Sequence, residues 1–189
     1  IQGELELRRN ACKPGDVILT TGIHGLSKLG FLIKNKIYLD NDISLNKRLI
    51  SKSIEHFCRP KVYPNFLKNL IKTRSNKKIK RIGCTDSSDG LFQALQDLAS
   101  ASKCKAIINY EKIPKDKDWP RGDKWDEYYF FGGEDYELVF SLPKKWAKNL
   151  SKLDKDINEI GFFADGEPSI EFNNNKKNKL FNNKPFRHF

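Results

Sequence analysis

Lys78-Ile79-Lys80-Arg81-Ile82-Gly83-Cys84, Thr85-Asp86-Ser87-Ser88-Asp89-Gly90 and Leu91-Phe92-Gln93-Ala94-Leu95 follow one another without a break. The first segment reads as a short strand over Lys78 to Cys84. In the third, Leu91, Leu95 and Leu98 fall on one side of a helix that runs as far as Ser102. The acidic loop between them therefore sits where a strand hands over to a helix. Two hard carboxylates, Asp86 and Asp89, and the N–H groups of a helix start then point into one place, which suits Mg2+ and phosphate together. Asp89 or Ser88 could equally serve as the helix cap. On composition alone the two readings stand level.

Outward from this loop the chain alternates between strand and helix patterns. Glu4 to Arg9 alternates polar and apolar residues, Lys13-Pro14-Gly15-Asp16 is a turn by composition, and Val17 to Thr21 is β-branched and strand-like. Helices are expected from about Ser44 to Cys58, with Ile50, Ile54 and Phe57 on one side, and from Asn65 to Thr73. Downstream, Ala106 to Tyr110 reads as a strand and Lys115 to Asp126 as irregular or weakly helical. Tyr136 to Leu142 is a strand, Lys144 to Leu153 a helix, and Ile157 to Phe163 and Ser169 to Phe172 are strands. No internal repeat is visible. The expected class is α/β (α+β), a layered mixed β-sheet with packed helices.

The 189 residues give room for one domain with a proper core, since a chain of this length buries roughly two thirds of its unfolded surface. The chain opens at Ile1 and holds no methionine, so the expectation is a processed chain or part of something longer. No apolar run reaches the ~18 residues of a membrane span and no leader opens the sequence, so the expectation is a soluble, cytoplasmic protein without a membrane partner. Cys12, Cys58, Cys84 and Cys104 form no C-x-x-C pair and are expected to be buried free thiols. Lys and Arg number 35 against 24 Asp and Glu, a formal net charge of +11. That excess could steer anions. Its company with asparagine, as in Asn173-Asn174-Asn175-Lys176-Lys177-Asn178, reads better as solvated loops than as a shaped nucleic-acid groove.

Gly132-Gly133-Glu134-Asp135-Tyr136-Glu137 joins a glycine turn, which backbone or ligand can approach closely, to three carboxylates ahead of a strand. Taken alone it reads better as a tight turn with exposed acids. Arg9 could hold a phosphate through its fork of donors, although an exposed arginine at a strand end is the commoner case. His24, His56 and His188 are too scattered to suggest a metal site. The phosphate-loop pattern G-x-x-x-x-G-K-[ST] is absent.

Four segments, taken together and in order, resemble the thiamine-monophosphate kinases, of the superfamily that also contains aminoimidazole ribonucleotide synthetase and selenophosphate synthetase. The family's R-x-G-A-K-P-G-D and V-T-G are similar to Arg9-Asn10-Ala11-Cys12-Lys13-Pro14-Gly15-Asp16 and Thr20-Thr21-Gly22. Its D-x-S-D-G-L appears as Asp86 to Leu91, its G-G-E-D-Y-E-L as Gly132 to Leu138, and its closing segment looks like Pro185-Phe186-Arg187-His188-Phe189. The resemblance implies the C-terminal domain of such a kinase over residues 1–189. Residues 1–8 would end a preceding domain or form a linking strand, and an N-terminal ATP- and Mg2+-binding domain would lie outside the sequence. It implies that Asp86 and Asp89 bind Mg2+, Ser88 touches ATP, Arg9 contacts phosphate, and Glu134 and Phe186 hold the thiamine end of the substrate. The chain departs from the family at Leu26 beside Ser27, at Tyr63 where a second arginine is usual, and at Pro185 in place of glycine.

The implied reaction is direct in-line transfer of the γ-phosphoryl of ATP to thiamine monophosphate, giving thiamine diphosphate. No protein nucleophile or acid–base residue is called for. A homodimer is implied for the full-length protein, and the fragment alone should be inactive. Two other readings stand beside it: a related ATP-dependent enzyme acting on a different small substrate, and a non-catalytic anion- or nucleic-acid-binding module, whose binding would weaken steeply with salt.

Overall fold

The computed structural model describes residues 4–37 and 45–173. Among them, seven strands form one sheet in the order β1-β3-β5-β2-β6-β4-β7. The strands are β1 (Glu6–Arg8), β2 (Asp16–Thr21), β3 (Arg81–Asp86), β4 (Lys105–Ile108), β5 (Leu138–Pro143), β6 (Ile157–Ala164) and β7 (Ser169–Phe172). The helices are α1 (Leu26–Lys34), α2 (Lys47–Cys58), α3 (Phe66–Thr73), α4 (Leu91–Ser102), α5 (Asp123–Phe131) and α6 (Lys144–Leu153). The two end pairs, β1 with β3 and β4 with β7, are parallel, and the four inner pairings are antiparallel. This is the mixed, layered sheet with packed helices that the alternating patterns predict.

Successive strand residues point to opposite faces, and in β2 both faces are covered. Ile18 belongs to a large core with Leu91, Leu95 and Leu98 of α4 and Tyr129 and Phe130 of α5. Its neighbours Val17 and Leu19 face a second core with Phe66 and Leu70 of α3 and Trp146 and Leu150 of α6. All six residues of β2 are consequently buried. Trp146 is completely buried in the second core and donates its indole N–H to the Leu70 carbonyl at 3.0 Å, which ties α6 to α3.

The boundaries of α4, α6 and β7 agree with the sequence reading, and those of α2, α3, β2, β4, β5 and β6 lie close to it. Strand β3 starts three residues later than expected and runs on to Asp86, so Asp86 ends the strand where a loop position was expected. Three further features differ. Helix α1 follows β2, in a stretch where local sequence announces no helix, because its first turn begins at Gly25 with φ +83° and no side-chain cap of its own. The polar stretch from Lys115 gives way at Asp123 to α5, which buries Trp125, Tyr129 and Phe130 and half-buries Tyr128 and Phe131, so aromatic residues surround it and no apolar stripe shows. Cys58 is exposed, whereas Cys12 and Cys104 are buried and Cys84 half-buried, and all four are free. Ser44, Pro185, Phe186 and His188 lie outside the described residues.

Helices α1 and α2 approach unusually closely at Gly30. A Cβ there would fall 2.1 Å from the Ser53 carbonyl oxygen and 2.8 Å from the Phe57 Cβ. Gly30→Ala must therefore push the helices apart, and it should cost about 1–3 kcal/mol, the usual range for overpacking, read as a lowered urea midpoint at unchanged m-value.

Candidate active site

Strand β3 ends at Asp86, which pairs with Leu138 at the start of β5. The Asp86–Gly90 loop leaves the sheet at the point where the Gly132–Glu137 loop enters it. Three hydrogen bonds join the two loops: Ser87 N–H to the Glu137 carbonyl at 2.9 Å, Glu134 N–H to the Ser88 carbonyl at 2.8 Å, and Glu137 N–H to Ser87 Oγ at 3.1 Å. Contact this close leaves no room for side chains at the crossing. A Cβ on Gly133, whose φ is +67°, would lie 2.7 Å from the Ser88 carbonyl, and one on Gly90, φ +93°, 2.8 Å from the Phe130 carbonyl. Glu134 and Tyr136 also hold left-handed backbone, with φ of +61° and +53°. For residues with a side chain this costs on the order of 1–2 kcal/mol each.

That backbone sends the three carboxylates of the second loop in different directions. Glu134 is exposed and accepts a hydrogen bond from the Tyr136 hydroxyl at 2.8 Å. Asp135 is buried and accepts from the backbone N–H groups of Gly25 at 2.6 Å and Ser27 at 2.9 Å, so it caps α1 from across the fold. Burial outweighs those two donors and pushes the Asp135 carboxyl up to about 7. Glu137 is also buried and accepts from the Thr21 hydroxyl at 2.5 Å. Tyr63, the departure from the family pattern, lies near the same carboxylate, but among the described residues neither its hydroxyl nor Glu137 Oε1 makes a hydrogen bond. A Cβ on Gly22 would strike the Glu137 carboxylate. The sequence reading that these are merely exposed acids thus holds for Glu134 alone.

In the first loop Ser87 is buried, Asp86 and Ser88 half-buried, and Asp89 exposed. The N-cap residue of α4 is Gly90, which has no side chain, so neither Asp89 nor Ser88 occupies that position. Arg9 lies at the same end of β3. Its Nε donates to Thr85 Oγ1 at 3.1 Å, and a terminal nitrogen stands 3.5 Å from Asp97 of α4. Since Thr85 and Asp86 point to opposite faces of the strand, Arg9 reaches the loop from the α4 side of the sheet. Leu26, another departure, is buried as the first residue of α1.

The two motifs that carry the resemblance are therefore in direct contact, and Asp86, Ser88, Asp89 and Glu134 surround one sheet end. Among the described residues no group of three or more His, Cys, Asp or Glu side chains is arranged to hold a metal ion by itself. Two carboxylates with phosphate oxygens as the remaining ligands fit the hard, water-retaining preferences of Mg2+. Asp135 and Glu137 were hidden in the sequence, because nothing local reveals which acids turn inward.

The chain belongs to the family of AIR synthase related proteins, as their C-terminal domain, over residues 13–170. Among curated relatives it is similar to the thiamine-monophosphate kinase of Prochlorococcus marinus, 33% identical over 188 residues, and to that of Buchnera aphidicola from Schizaphis graminum, 33% identical over 201 residues. The whole chain is covered in both matches, but it spans only 56% and 57% of those relatives. Among solved structures it is similar to AaThiL complexed with AMPPCP and TMP, 25% identical with a TM-score of 0.69, covering 96% of this chain and 53% of that one. The thiamine-monophosphate kinase of Stenotrophomonas maltophilia shares the fold at 22% identity and a TM-score of 0.70, covering 88% of this chain and 52% of that one.

Two outcomes follow from the inward-turned groups. Asp135→Ala removes the acceptor for two buried N–H groups, and it should lower stability by about 1–3 kcal/mol and speed amide exchange in the first turn of α1. His24, in the turn before α1, is fully buried and bonded to Thr20 Oγ1 at 2.7 Å, and burial holds its pKa down at about 3 against 6.5 in the unfolded chain. The unfolded state therefore takes up a proton that the folded state refuses. His24 contributes stability that is full above pH 6.5 and is lost as the pH falls toward 3. Urea titrations should show a steeper loss between pH 6.5 and 4 in the wild type than in His24→Gln, and the His24 ring resonances should not move above pH 5.

Proposed function

We propose that this chain is the C-terminal part of a kinase that transfers the γ-phosphoryl group of ATP to thiamine monophosphate, forming thiamine diphosphate. The observation that carries the reading is the hydrogen-bonded junction of the Asp86–Gly90 and Gly132–Glu137 loops. That junction supports the reading because it joins the loop of Asp86 and Asp89, read as the Mg2+ ligands, to the loop of Glu134, read as the thiamine-end carboxylate. The names of the two curated relatives support it, as does the neighbour that binds AMPPCP and TMP.

Both reactants are anions, so the main catalytic requirements are alignment and neutralisation of charge. Asp86 and Asp89 are the residues of this chain that would hold Mg2+, which would supply positive charge to the phosphates. Ser88 offers a hydroxyl to ATP. Arg9, braced by Thr85 and Asp97, offers guanidinium N–H donors to a phosphate. The acceptor oxygen belongs to a phosphate already ionised at neutral pH, so no side chain has to remove its proton. Glu134 and Phe186 hold the thiamine end. Residues 1–8 join this domain to a preceding one that completes the ATP and Mg2+ site. The protein works as a cytoplasmic homodimer, with no nucleic acid or membrane as partner. Among the described residues no helix is long and apolar enough to cross a membrane.

The test is an ATP- and Mg2+-dependent assay of thiamine diphosphate formation by the chain joined to its native upstream sequence. Asp89 is exposed, so Asp89→Asn should leave circular dichroism and thermal midpoint unchanged while turnover drops by about a hundredfold or more. Wild-type turnover in that variant would remove Asp89 from the reaction. A folded wild-type protein without turnover of thiamine monophosphate would overturn the substrate assignment.

A further inference from the structure

Helices α3 and α6 lie side by side on the face of the sheet opposite α4 and α5. They are tied by the Trp146 indole and by Asn149 Nδ2, which donates to the Thr73 carbonyl at 3.3 Å. Their apolar sides, Phe66 and Leu70 with Trp146, Ala147 and Leu150, are spent on the second core. Their other sides hold six lysines, Lys68 and Lys72 on α3 and Lys144, Lys145, Lys148 and Lys152 on α6, and neither helix contains an acid. All six are exposed. Lys68 and Lys72 fall at i, i+4 and Lys145, Lys148 and Lys152 at i, i+3, i+7, so each set forms a row turned away from the sheet. Lysine abundance alone does not produce such a face. Elsewhere the chain sets its lysines against acids: Lys52 against Asp116 at 2.7 Å, Lys105 against Glu171 at 2.6 Å, Lys112 against Glu159 at 3.4 Å and Lys115 against Asp126 at 3.1 Å. Among the described residues no ion pair involves any of the six. The acids that follow α6 are taken, Asp154 by Asn69 at 3.1 Å and Asp156 by Lys61 at 2.6 Å.

Like charges gathered on one rigid face repel one another, and an anionic partner relieves that repulsion. We propose that the α3–α6 face docks an acidic amphipathic helix of a partner protein. Charge decides the sign of the partner, and three further features decide its form. Between their ends two helices offer no free backbone N–H or C=O, so an extended segment has no edge to join, whereas a helix can lie along them. Glutamates at i, i+4 on a helix recur about every 6 Å, which is the spacing of Lys68 from Lys72 and of Lys148 from Lys152. Leu67 and Ile71, 53% and 42% exposed, stand beside the α3 row and give an apolar stripe of the partner something to cover. The same helices suit other polyanions poorly. Their two aromatic residues, Phe66 and Trp146, are buried, so no ring is free to stack on a nucleic-acid base. Their apolar sides are packed inside, so neither helix can sink into a lipid surface. The inference is independent of the reaction proposed above.

The experiment uses the chain joined to its native upstream sequence. The probe is a fluorescein-labelled peptide of about 20 residues, long enough to hold a helix, with glutamates at i, i+4 along one side and leucines beside them. Anisotropy titration should show saturable binding. Lys68→Gln with Lys72→Gln, and Lys148→Gln with Lys152→Gln, should each weaken it by about tenfold or more, while arginine at the same positions retains it. Leu67→Ser with Ile71→Ser should weaken it by about threefold or more, and a scrambled peptide of the same composition should bind at least about tenfold more weakly. All these positions are exposed, and circular dichroism checks that the variants stay folded. Absent binding, affinity unchanged in the lysine variants, or equal affinity for the scrambled peptide overturns the proposal. A single-stranded oligonucleotide or a phosphatidylserine vesicle that binds more tightly than the peptide through the same lysines overturns the choice of partner. Protection of all six lysines from acetylation in the full-length protein overturns it as well, because the face is then covered by the protein itself.

Discussion

Asp135 is 1% exposed and spends both carboxylate oxygens on the first turn of α1. It stands between Glu134, which faces solvent, and Tyr136, which bonds to Glu134, so one short turn both anchors a helix and presents a candidate ligand-binding group. A carboxylate stripped of water is costly unless donors replace the solvent. Here the replacement is the N-terminus of α1, where unsatisfied N–H groups and the helix dipole both favour negative charge. The position of α1 relative to the glycine turn is fixed by that exchange. With it are fixed the angle of Phe31 toward Phe57 and the line along which the second loop meets the first.

The two loops depend on each other in a further way. Neither forms a regular element, yet each supplies backbone partners for the other: Glu137 accepts from Ser87, and Ser88 accepts from Glu134. Left-handed backbone at Gly133, Glu134 and Tyr136 is the condition for this register. Strain of that kind persists only where surrounding contacts over-determine it, and here they come from the buried Asp135 and Glu137 carboxylates on either side of Tyr136. The strained residues point outward, and the acids that hold them point inward.

Much of this fold is legible in the sequence because its signals are local. The leucines at positions 91, 95 and 98 mark α4 from beginning to end, and alternation marks β7. Helix α1 is invisible for a physical reason: its cap, Asp135, lies 110 residues from Gly25 in the chain. Helix α5 is obscured because aromatic residues surround it on all sides. At the candidate site, spacing finds the two acidic loops but cannot assign tasks within Glu134-Asp135-Tyr136-Glu137. Period-two or helical logic fails where positive φ turns successive side chains out of any regular phase. Phe31 and Phe57 lie 26 positions apart in the chain and meet only because Gly30 lets two helices touch.

The exposure of Cys58 has a chemical consequence for the same neighbourhood. Burial pushes the thiols of Cys12, Cys84 and Cys104 upward, which keeps them protonated and inert. Cys58 follows Phe57 directly at the end of α2, open to solvent, with the Lys34 ammonium 3.2 Å from its sulfur. Oxidants and alkylating agents therefore meet Cys58 first among the thiols of the described structure, at the end of α2 and beside a cation.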